Sequence, residues 1–282
     1  MAYSTQADLN SLFNTIFEDS MFVARENNLM TALVTNYSAR GWMNRVIPEY
    51  AQVAAEAVAE AEDYANPTTF SKSTAATLTP SEVMAQVVLT DRRIETDPED
   101  ARRDASLELG NAIATKIDVD LVGTFSSFTT GVGTANTALT IDKVAAGISL
   151  LRNALAPNPL YVVLHPYGWH DIWDLLGTPA SNLAWQGDIA NEALRSFFVG
   201  RWLGATAWFT SANISVDASD DAVGALFNPQ SIAFDSRKAP LLEPERDASL
   251  RAWELNMSAG YAVGIRRNAF GVKITHDATA PA

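Results

Sequence analysis

The feature that most constrains the fold is a long amphipathic helix predicted over about 98–124. Asp97 can cap its N-terminus, and Pro98 suits the first helical position, where its missing N–H costs no hydrogen bond. Apolar residues then recur at every fourth position and form one stripe, namely Ala105, Leu109, Ile113, Ile117 and Leu121. The charged residues between them are expected to face elsewhere, namely Arg103, Glu108, Lys116 and Asp118. Such a helix would be ~40 Å long, which indicates an elongated body built along it.

The segment at about 41–90, which precedes this helix, allows two interpretations. Its Ala/Glu-rich run at 51–60 is a helix by propensity alone. Alternatively, the run belongs to one arm of a long two-stranded hairpin, whose return arm is rich in Thr, Ser and Val and favours a strand. A hairpin with so few apolar residues is not stable alone and would need another chain to lie on. A mobile surface loop explains the same composition.

The remaining segments alternate between helical and strand patterns, which predicts an α+β fold. Helices are expected at about 8–27, at 140–155 with Thr140 as cap and Leu155 on the apolar face, at 167–176 and at 189–198. A Gly/Thr-rich connector at 129–137 marks a boundary between subdomains. Strands are expected at 160–164, 205–211, 222–227, 231–235, 250–255, 261–265 and 270–274, the last two pairing across 266–269. Strands before and after the long helix could share one sheet.

Composition excludes several classes of protein. With 48% apolar and 19% charged residues the chain can bury a sizeable core and is not a disordered tail. No apolar run approaches the roughly 20 residues of a membrane-spanning helix, and the N-terminal residues do not resemble a secretion signal. The absence of cysteine excludes disulfides and thiolate chemistry. The net charge of −13, with basic residues mostly beside acids, argues against a dedicated nucleic-acid-binding protein.

The sequence contains no specific catalytic or metal-binding motif. His165 and His170 are five residues apart, which does not place them on one helix face, and His276 is expected in a flexible tail. The Gly-Val-Gly at 131–133 lacks the third glycine of a dinucleotide-binding motif. Five of the seven tryptophans lie within 169–208, which favours a packed core or a subunit contact over a ligand pocket. We therefore expect no cofactor, no metal ion and no enzymatic activity.

Three stretches, taken in order, carry a resemblance to a known family. The first is the return strand at 77–90, followed by Asp97-Pro98-Glu99 and a helix that ends in the acidic, apolar and glycine residues of 118–123. The second is Leu160-Tyr161-Val162-Val163-Leu164-His165-Pro166, and the third is the glycine-flanked turn at 200–205. Together they resemble the major capsid proteins of tailed bacteriophages, which have the Hong-Kong-97-like fold. The resemblance covers residues 41 to 275 approximately.

The resemblance implies a division of the chain. An N-terminal arm would occupy 1–40, an extended loop 41–90, a peripheral domain 91–129 and 236–282, and an axial domain 130–235. The long helix would be the family's spine helix, with its key residues at Asp97, Pro98, Leu109, Ile113, Ile117 and Leu121. The tip of the extended loop would contact a neighbouring subunit through Asn66, Pro67, Phe70 and Lys72.

The resemblance also implies a function. The chain would self-assemble into hexamers and pentamers of an icosahedral or prolate phage head, which encloses double-stranded DNA without sequence-specific binding. Its further partners would be a separate scaffolding protein, a portal and, as a further candidate, a decoration protein. Assembly would take place in the host cytoplasm and end in the virion. An encapsulin-type compartment with an enzyme cargo shares the fold and is the nearest alternative, and a soluble α/β enzyme is the alternative of another class.

Overall fold

Within the described residues, two β-sheets and a separate hairpin form the fold, and one long helix packs on the first sheet. The structure is a computed structural model that describes residues 29–50, 53, 55–58, 60–61, 69–96, 98–177 and 204–281. Its helices are α1 (Asp91–Thr96), α2 (Pro98–Gly123), α3 (Ile141–Asn153) and α4 (Pro166–Gly177). Its strands are β1 (Thr35–Ser38), β2 (Arg45–Tyr50), β3 (Lys72–Leu78), β4 (Ser81–Thr90), β5 (Gly131–Gly133), β6 (Tyr161–Leu164), β7 (Ala207–Thr210), β8 (Asp221–Phe227), β9 (Ile232–Asp247), β10 (Ala252–Ile265) and β11 (Gly271–Asp277).

The four-stranded sheet has the order β1-β9-β10-β4. Strands β4 and β10 are antiparallel over ten residue pairs, from Thr90 opposite Ala252 to Ser81 opposite Tyr261. The prediction that strands before and after the long helix share one sheet is therefore confirmed. Alternate residues of β4 point toward α2 because successive side chains of a strand face opposite sides. Those that pack against the core on this side include Val83, Ala85, Val87 and Leu89.

Helix α2 buries the predicted apolar stripe against this sheet. Its five stripe residues are each 8% exposed or less, namely Ala105, Leu109, Ile113, Ile117 and Leu121. Burying a side chain such as Leu or Ile stabilises a fold by about 1.5–3 kcal/mol. Glu108 and Lys116 are exposed, as predicted, but Asp118 is only 1% exposed. The expectation that Asp118 faces away from the core is wrong, because its carboxylate accepts hydrogen bonds from two other segments of the chain.

The five-stranded sheet has the order β5-β11-β8-β6-β7 and carries helices α3 and α4. The buried strand predicted at 160–164 is confirmed as β6, and the aromatic helix after it is confirmed as α4. Helix α3 begins after Thr140, but the Thr140 side chain makes no capping hydrogen bond. The predicted apolar face is wrong at Leu155, which lies beyond the helix end at a φ of 58° and is 84% exposed. A positive φ at a residue with a β-carbon ends an α-helix, so the last predicted turn cannot form.

The C-terminal strands differ from the prediction. The two strands expected at 250–255 and 261–265 are one continuous strand, β10, and the expected hairpin across 266–269 does not form. The backbone N–H groups of Arg266 and Arg267 both donate to the carbonyl oxygen of Ser231, at 2.7 and 3.1 Å, which turns the chain away from the first sheet. Strand β11 then pairs with β8 and β5 in the second sheet. Strands β9 and β10 thus lie in the sheet that packs against α2, and β11 lies in the second sheet. The division of the chain into a peripheral and an axial domain stays a prediction.

The segment before β4 contains the predicted hairpin. Strands β2 and β3 are antiparallel, from Arg45 opposite Leu78 to Tyr50 opposite Lys72. The described residues of the Ala/Glu-rich run, Val53 and 55–58, lie in neither a helix nor a strand and are exposed. A short helix without a face to pack against is marginal in water, which explains why propensity does not decide the structure there.

Several sequence-based predictions of secondary structure fall outside the described residues. They are the helices at 8–27 and 189–198, the cap at Asp97, and most of the glycine-flanked turn at 200–205, of which Gly204 and Ala205 are described. No helix in the described part of the chain is long and apolar enough to span a membrane.

Candidate functional site

The hairpin and the residues leading into it concentrate the exposed apolar surface of the described chain. Seven of the sixteen large apolar side chains that are exposed lie between residues 42 and 70, namely Trp42, Met43, Val46, Tyr50, Val53, Val58 and Phe70. Their exposed fractions run from 49% to 83%. Apolar surface of this extent on a projecting element is typical of a contact with another molecule. The hairpin is therefore the candidate functional site.

An aromatic pair links the two arms at the outer end of the hairpin. The rings of Tyr50 and Phe70 stack with their centroids 5.3 Å apart and an interplanar angle of 5°. Phe70 remains 65% exposed, and Lys72, the first residue of β3, is also exposed. Two other residues predicted at the loop tip, Asn66 and Pro67, lie outside the described residues. The structure thus places Phe70 and Lys72 on the outer part of the hairpin.

A small apolar cluster holds the inner end of the hairpin to the first sheet. Ile47 and Leu78, from β2 and β3, pack with Ala233 of β9 and Ala262 of β10. Leu78 can approach closely because Gly264 has no side chain. A β-carbon at position 264 would lie 2.7 Å from a methyl carbon of Leu78. The root of the hairpin is therefore packed, although its outer part is exposed.

A buried carboxylate reinforces this root. Asp235 of β9 is fully buried and accepts hydrogen bonds from Arg45 at 2.9 and 3.2 Å. It also accepts two from Arg237, at 2.9 and 2.6 Å. Arg237 donates a further hydrogen bond to the carbonyl oxygen of Gly41 at 3.2 Å. Charge-assisted hydrogen bonds of this kind are among the strongest in proteins, so both the start and the first strand of the hairpin are held to β9.

Trp42 packs at the same root, where strands β9 and β10 are irregular. The pairing of β9 with β10 shifts register on either side of Gly260. A β-carbon at position 260 would lie 2.7 Å from the ring of Trp42, so only glycine allows this packing. The ammonium group of Lys238 donates to Ser258 at 2.9 Å and to Glu82 at 3.3 Å on the same face. These contacts and the Asp235 network together fix where the hairpin leaves the sheet.

Helix α2 carries two carboxylates that join separate parts of the fold. Asp118 accepts the backbone N–H of Met30 at 2.9 Å and the side-chain amide of Asn213 at 2.7 Å. Asp120 accepts the hydroxyl of Tyr261 at 2.7 Å, and burial together with this hydrogen bond raises the pKa of Tyr261. The helix therefore binds to the segment before β1, to the loop after β7 and to β10. The sequence pattern did not predict that Asp118 and Asp120 join parts of the fold, because acidic side chains are usually exposed to solvent.

The residues predicted along the long helix occupy the positions just described. Pro98 is the first residue of α2, and Asp97 lies outside the described residues. The four apolar residues predicted for this helix are buried in the core between α2 and the first sheet, namely Leu109, Ile113, Ile117 and Leu121. They form an interior surface and are not part of the exposed hairpin.

The histidines lie in the second sheet and its helices. The expectation of a flexible tail at His276 is wrong, because this residue lies in β11 and is fully buried. Its ring lies 3.3 Å from the carbonyl oxygen of Ile274 and against Gly168, and burial lowers its pKa. His165 is 8% exposed, and burial also lowers its pKa. Among the described residues no three His, Asp or Glu side chains are arranged to hold a metal ion.

The described tryptophans of the second sheet support a packed core. The rings of Trp169 and Trp208 meet edge to face, with centroids 5.7 Å apart, and both residues are 2% exposed. They pack among the apolar residues of α3, α4 and β6. The interpretation of this region as core is consistent with this packing, while Trp185 and Trp202 lie outside the described residues.

Comparison with known proteins places these features in a family. A family model described as phage capsid protein matches residues 85–274 of the chain. No curated protein matches the chain. Among solved structures, one described as Mycobacterium phage Che8 has a TM-score of 0.70 at 19% identity and covers 88% of this chain and 90% of its own. The head structure of Helicobacter pylori bacteriophage KHP40 has a TM-score of 0.69 at 12% identity, with coverage of 86% and 88%.

A third similar structure comes from a different kind of particle. It is described as a virus-like particle from Pyrococcus furiosus, with a TM-score of 0.57 at 8% identity, covering 93% of this chain and 98% of its own. At these identities the structural likeness establishes the fold alone. The predicted fold class, α+β with the Hong-Kong-97-like arrangement, is confirmed.

Proposed function

The chain belongs to the phage capsid protein family, and from that premise we propose that it is the major capsid protein of a phage head. It forms hexamers and pentamers of an icosahedral or prolate shell that encloses double-stranded DNA. Its role in this proposal is structural, with no catalytic step. The observation that carries the proposal is the exposed apolar surface of seven side chains on the hairpin and the residues leading into it, together with a root that the buried Asp235 holds in place.

The mechanism follows from this contrast between a fixed root and an exposed outer part. A hairpin that projects apolar side chains into water is costly for an isolated subunit, and the cost is recovered when a neighbouring subunit covers it. Many modest contacts repeated by symmetry give a strong shell without disulfides, which a chain with no cysteines cannot form. The hairpin thus acts as the element that links adjacent subunits.

The proposal assigns the parts of the fold as follows. Residues 41–90 form the extended loop, and α2, the part of β9 from residue 236 onward and β10 form the peripheral domain around the spine helix. The axial domain comprises 130–235 together with β11, because β11 lies between β5 and β8 in the second sheet. The acidic net charge of −13 suits a surface that lies near packed DNA without gripping it. A separate scaffolding protein, a portal and a decoration protein are the further partners, and assembly takes place in the host cytoplasm.

Electron microscopy and size-exclusion chromatography of the purified protein test the proposal. Megadalton particles that show hexamers and pentamers are expected, and a small discrete oligomer would refute it. A variant with Val53, Val58 and Phe70 changed to Ser removes exposed apolar surface from the hairpin and should lower particle yield. A matched control changes three exposed apolar residues elsewhere, namely Leu155, Val216 and Leu250. Equal losses in both variants would show that the hairpin has no special role.

A compartment of the encapsulin type is the second candidate, since the virus-like particle from Pyrococcus furiosus has a similar fold. Such a shell would house a protein cargo in place of a genome. Particles purified from infected cells distinguish the two functions. Nuclease-resistant double-stranded DNA inside them is expected for a phage head, whereas a protein cargo without DNA would favour the compartment.

A further inference from the structure

A polar cleft lies beside the root of the hairpin. Its volume is about 200 Å³, and the hairpin forms one wall through Ile47, Tyr50 and Ala75. The opposite wall comes from the turn between the two sheets and includes Gln230, Arg266 and Arg267. Glu49 also lines the hairpin wall, so the cleft combines apolar side chains and one carboxylate with two guanidinium groups.

The two arginines are held in position and are only partly neutralised within the described residues, by one ion pair to Glu49. The guanidinium of Arg267 lies over the ring of Phe270, 4.1 Å from its centroid. Its nearest acidic partner is Glu49, at 3.9 Å, with both side chains about half exposed at 50% and 51%. At that distance the pair makes no hydrogen bond. Arg266 is partly buried, and among the described side chains no carboxylate lies within ion-pair distance of it.

The outer part of the hairpin has the opposite charge. Between Arg45 and Lys72 the sequence contains five acidic residues and no basic one. Three of these acids are described and exposed. Glu49 makes the ion pair with Arg267, whereas Glu56 and Glu60 make no ion pair with a described residue. Val53 and Val58, in the same run, are 56% and 49% exposed. The run thus presents carboxylates and small apolar groups together, which match the two kinds of wall in the cleft.

We propose, on the basis of the capsid function proposed above, that the cleft receives the acidic run of a second copy of this chain. Glu56 and Glu60 of one copy pair with Arg266 and Arg267 of the next, and the valines lie against the apolar wall. The contact joins two different surfaces of the same chain. Such a head-to-tail contact closes into rings, which hexamers and pentamers require. Because these charges lie at the rim of the contact, they determine how neighbouring subunits align, and they contribute less to the total binding energy.

Charge reversal on each side, alone and in combination, tests the pairing. The cleft variant is Arg266→Glu/Arg267→Glu, and the loop variant is Glu56→Arg/Glu60→Arg. Each places like charges opposite one another in every contact, and particle yield is expected to fall about tenfold or more. Circular dichroism of the unassembled subunit should show the wild-type fold, since the changed side chains are exposed or partly exposed. A matched control, Arg40→Glu/Lys143→Glu, changes the same charge at exposed positions away from the cleft.

An equimolar mixture of the cleft variant and the loop variant is the decisive measurement. In a ring of six, alternating neighbours place each reversed loop against a reversed cleft and each normal loop against a normal cleft, so hexamers should form from the mixture in clearly higher yield than from either variant alone. A ring of five cannot alternate, so complete particles are expected from the chain that carries all four changes, in which every loop meets a matching cleft. No recovery of hexamers in the mixture, no particles from the fourfold variant, or an equal loss in the Arg40/Lys143 control overturns the inference. Wild-type protein that forms no particles would instead refute the proposed function.

Discussion

Removing the carboxylate of Asp235 is expected to weaken the fold at the root of the hairpin more than any change on the hairpin surface. Asp235 is 0% exposed and accepts four hydrogen bonds from Arg45 and Arg237. In the variant Asp235→Ala these donors lose their acceptor. The two arginines differ in access to water, since the side chain of Arg237 is 6% exposed and that of Arg45 is 27% exposed.

The expected magnitude follows from that difference. Removing one partner of a buried ion pair costs about 3–5 kcal/mol, because the remaining charge stays buried without compensation. Arg237 meets this condition, so Asp235→Ala should lower the free energy of unfolding by about 3–5 kcal/mol. Arg45 can turn toward water, and Arg45→Ala leaves Asp235 paired with Arg237. Its cost should be about 1 kcal/mol, as for a partly exposed pair.

Urea unfolding of the unassembled subunit, followed by circular dichroism, measures these changes. The double variant Asp235→Ala/Arg237→Ala supplies the control, because it removes the buried charge together with its partner. Its cost should fall clearly below the summed costs of the single variants Asp235→Ala and Arg237→Ala, since the penalty of an unpaired buried charge then disappears. An Asp235→Ala variant within about 0.5 kcal/mol of wild type, or strict additivity in the double variant, would contradict the reasoning.

Three further predictions concern the interior. Ile113→Ala should destabilise the subunit by about 2–5 kcal/mol and Ile113→Val by about 0.5–1.5 kcal/mol in urea unfolding, because Ile113 is 1% exposed and its neighbours cannot fill the space. Gly271→Ala would drive a β-carbon into the ring of Phe128 and should lower the melting temperature, and an unchanged value would show that the ring moves freely aside. Burial lowers the pKa of His276, so the unfolded chain binds a proton more readily and stability should fall as pH drops below the ordinary value of 6.5. Between about pH 7.5 and about pH 5, the free energy of unfolding of His276→Gln should therefore fall less than that of wild type. An equal fall in both proteins would show that other groups cause the effect.

The sequence pattern predicted correctly those helices and strands whose burial depends on the spacing of their own apolar residues. The buried face of α2 could be predicted because its apolar residues recur at helical spacing and so lie on one side of one helix. The sequence predicted strand β6 correctly because five consecutive apolar residues, Leu160 to Leu164, lie between Pro159 and Pro166 and are too few for a helix. Leu155 shows the limit of the method, since it continued the apolar spacing of α3 but lies beyond a left-handed turn.

The sequence by itself indicated the family and the long helix, and it offered the hairpin as one interpretation of 41–90, because these depend on periodicity and on residues close together in the chain. Only the tertiary structure decided which sheet receives β11, since Arg266 and Arg267 turn toward Ser231, far back in the chain. It also decided that Asp235 anchors Arg45, a partner 190 residues away. No local pattern encodes such a distance. Burial of a polar group is favourable only when a partner is present, and the fold alone brings that partner into place.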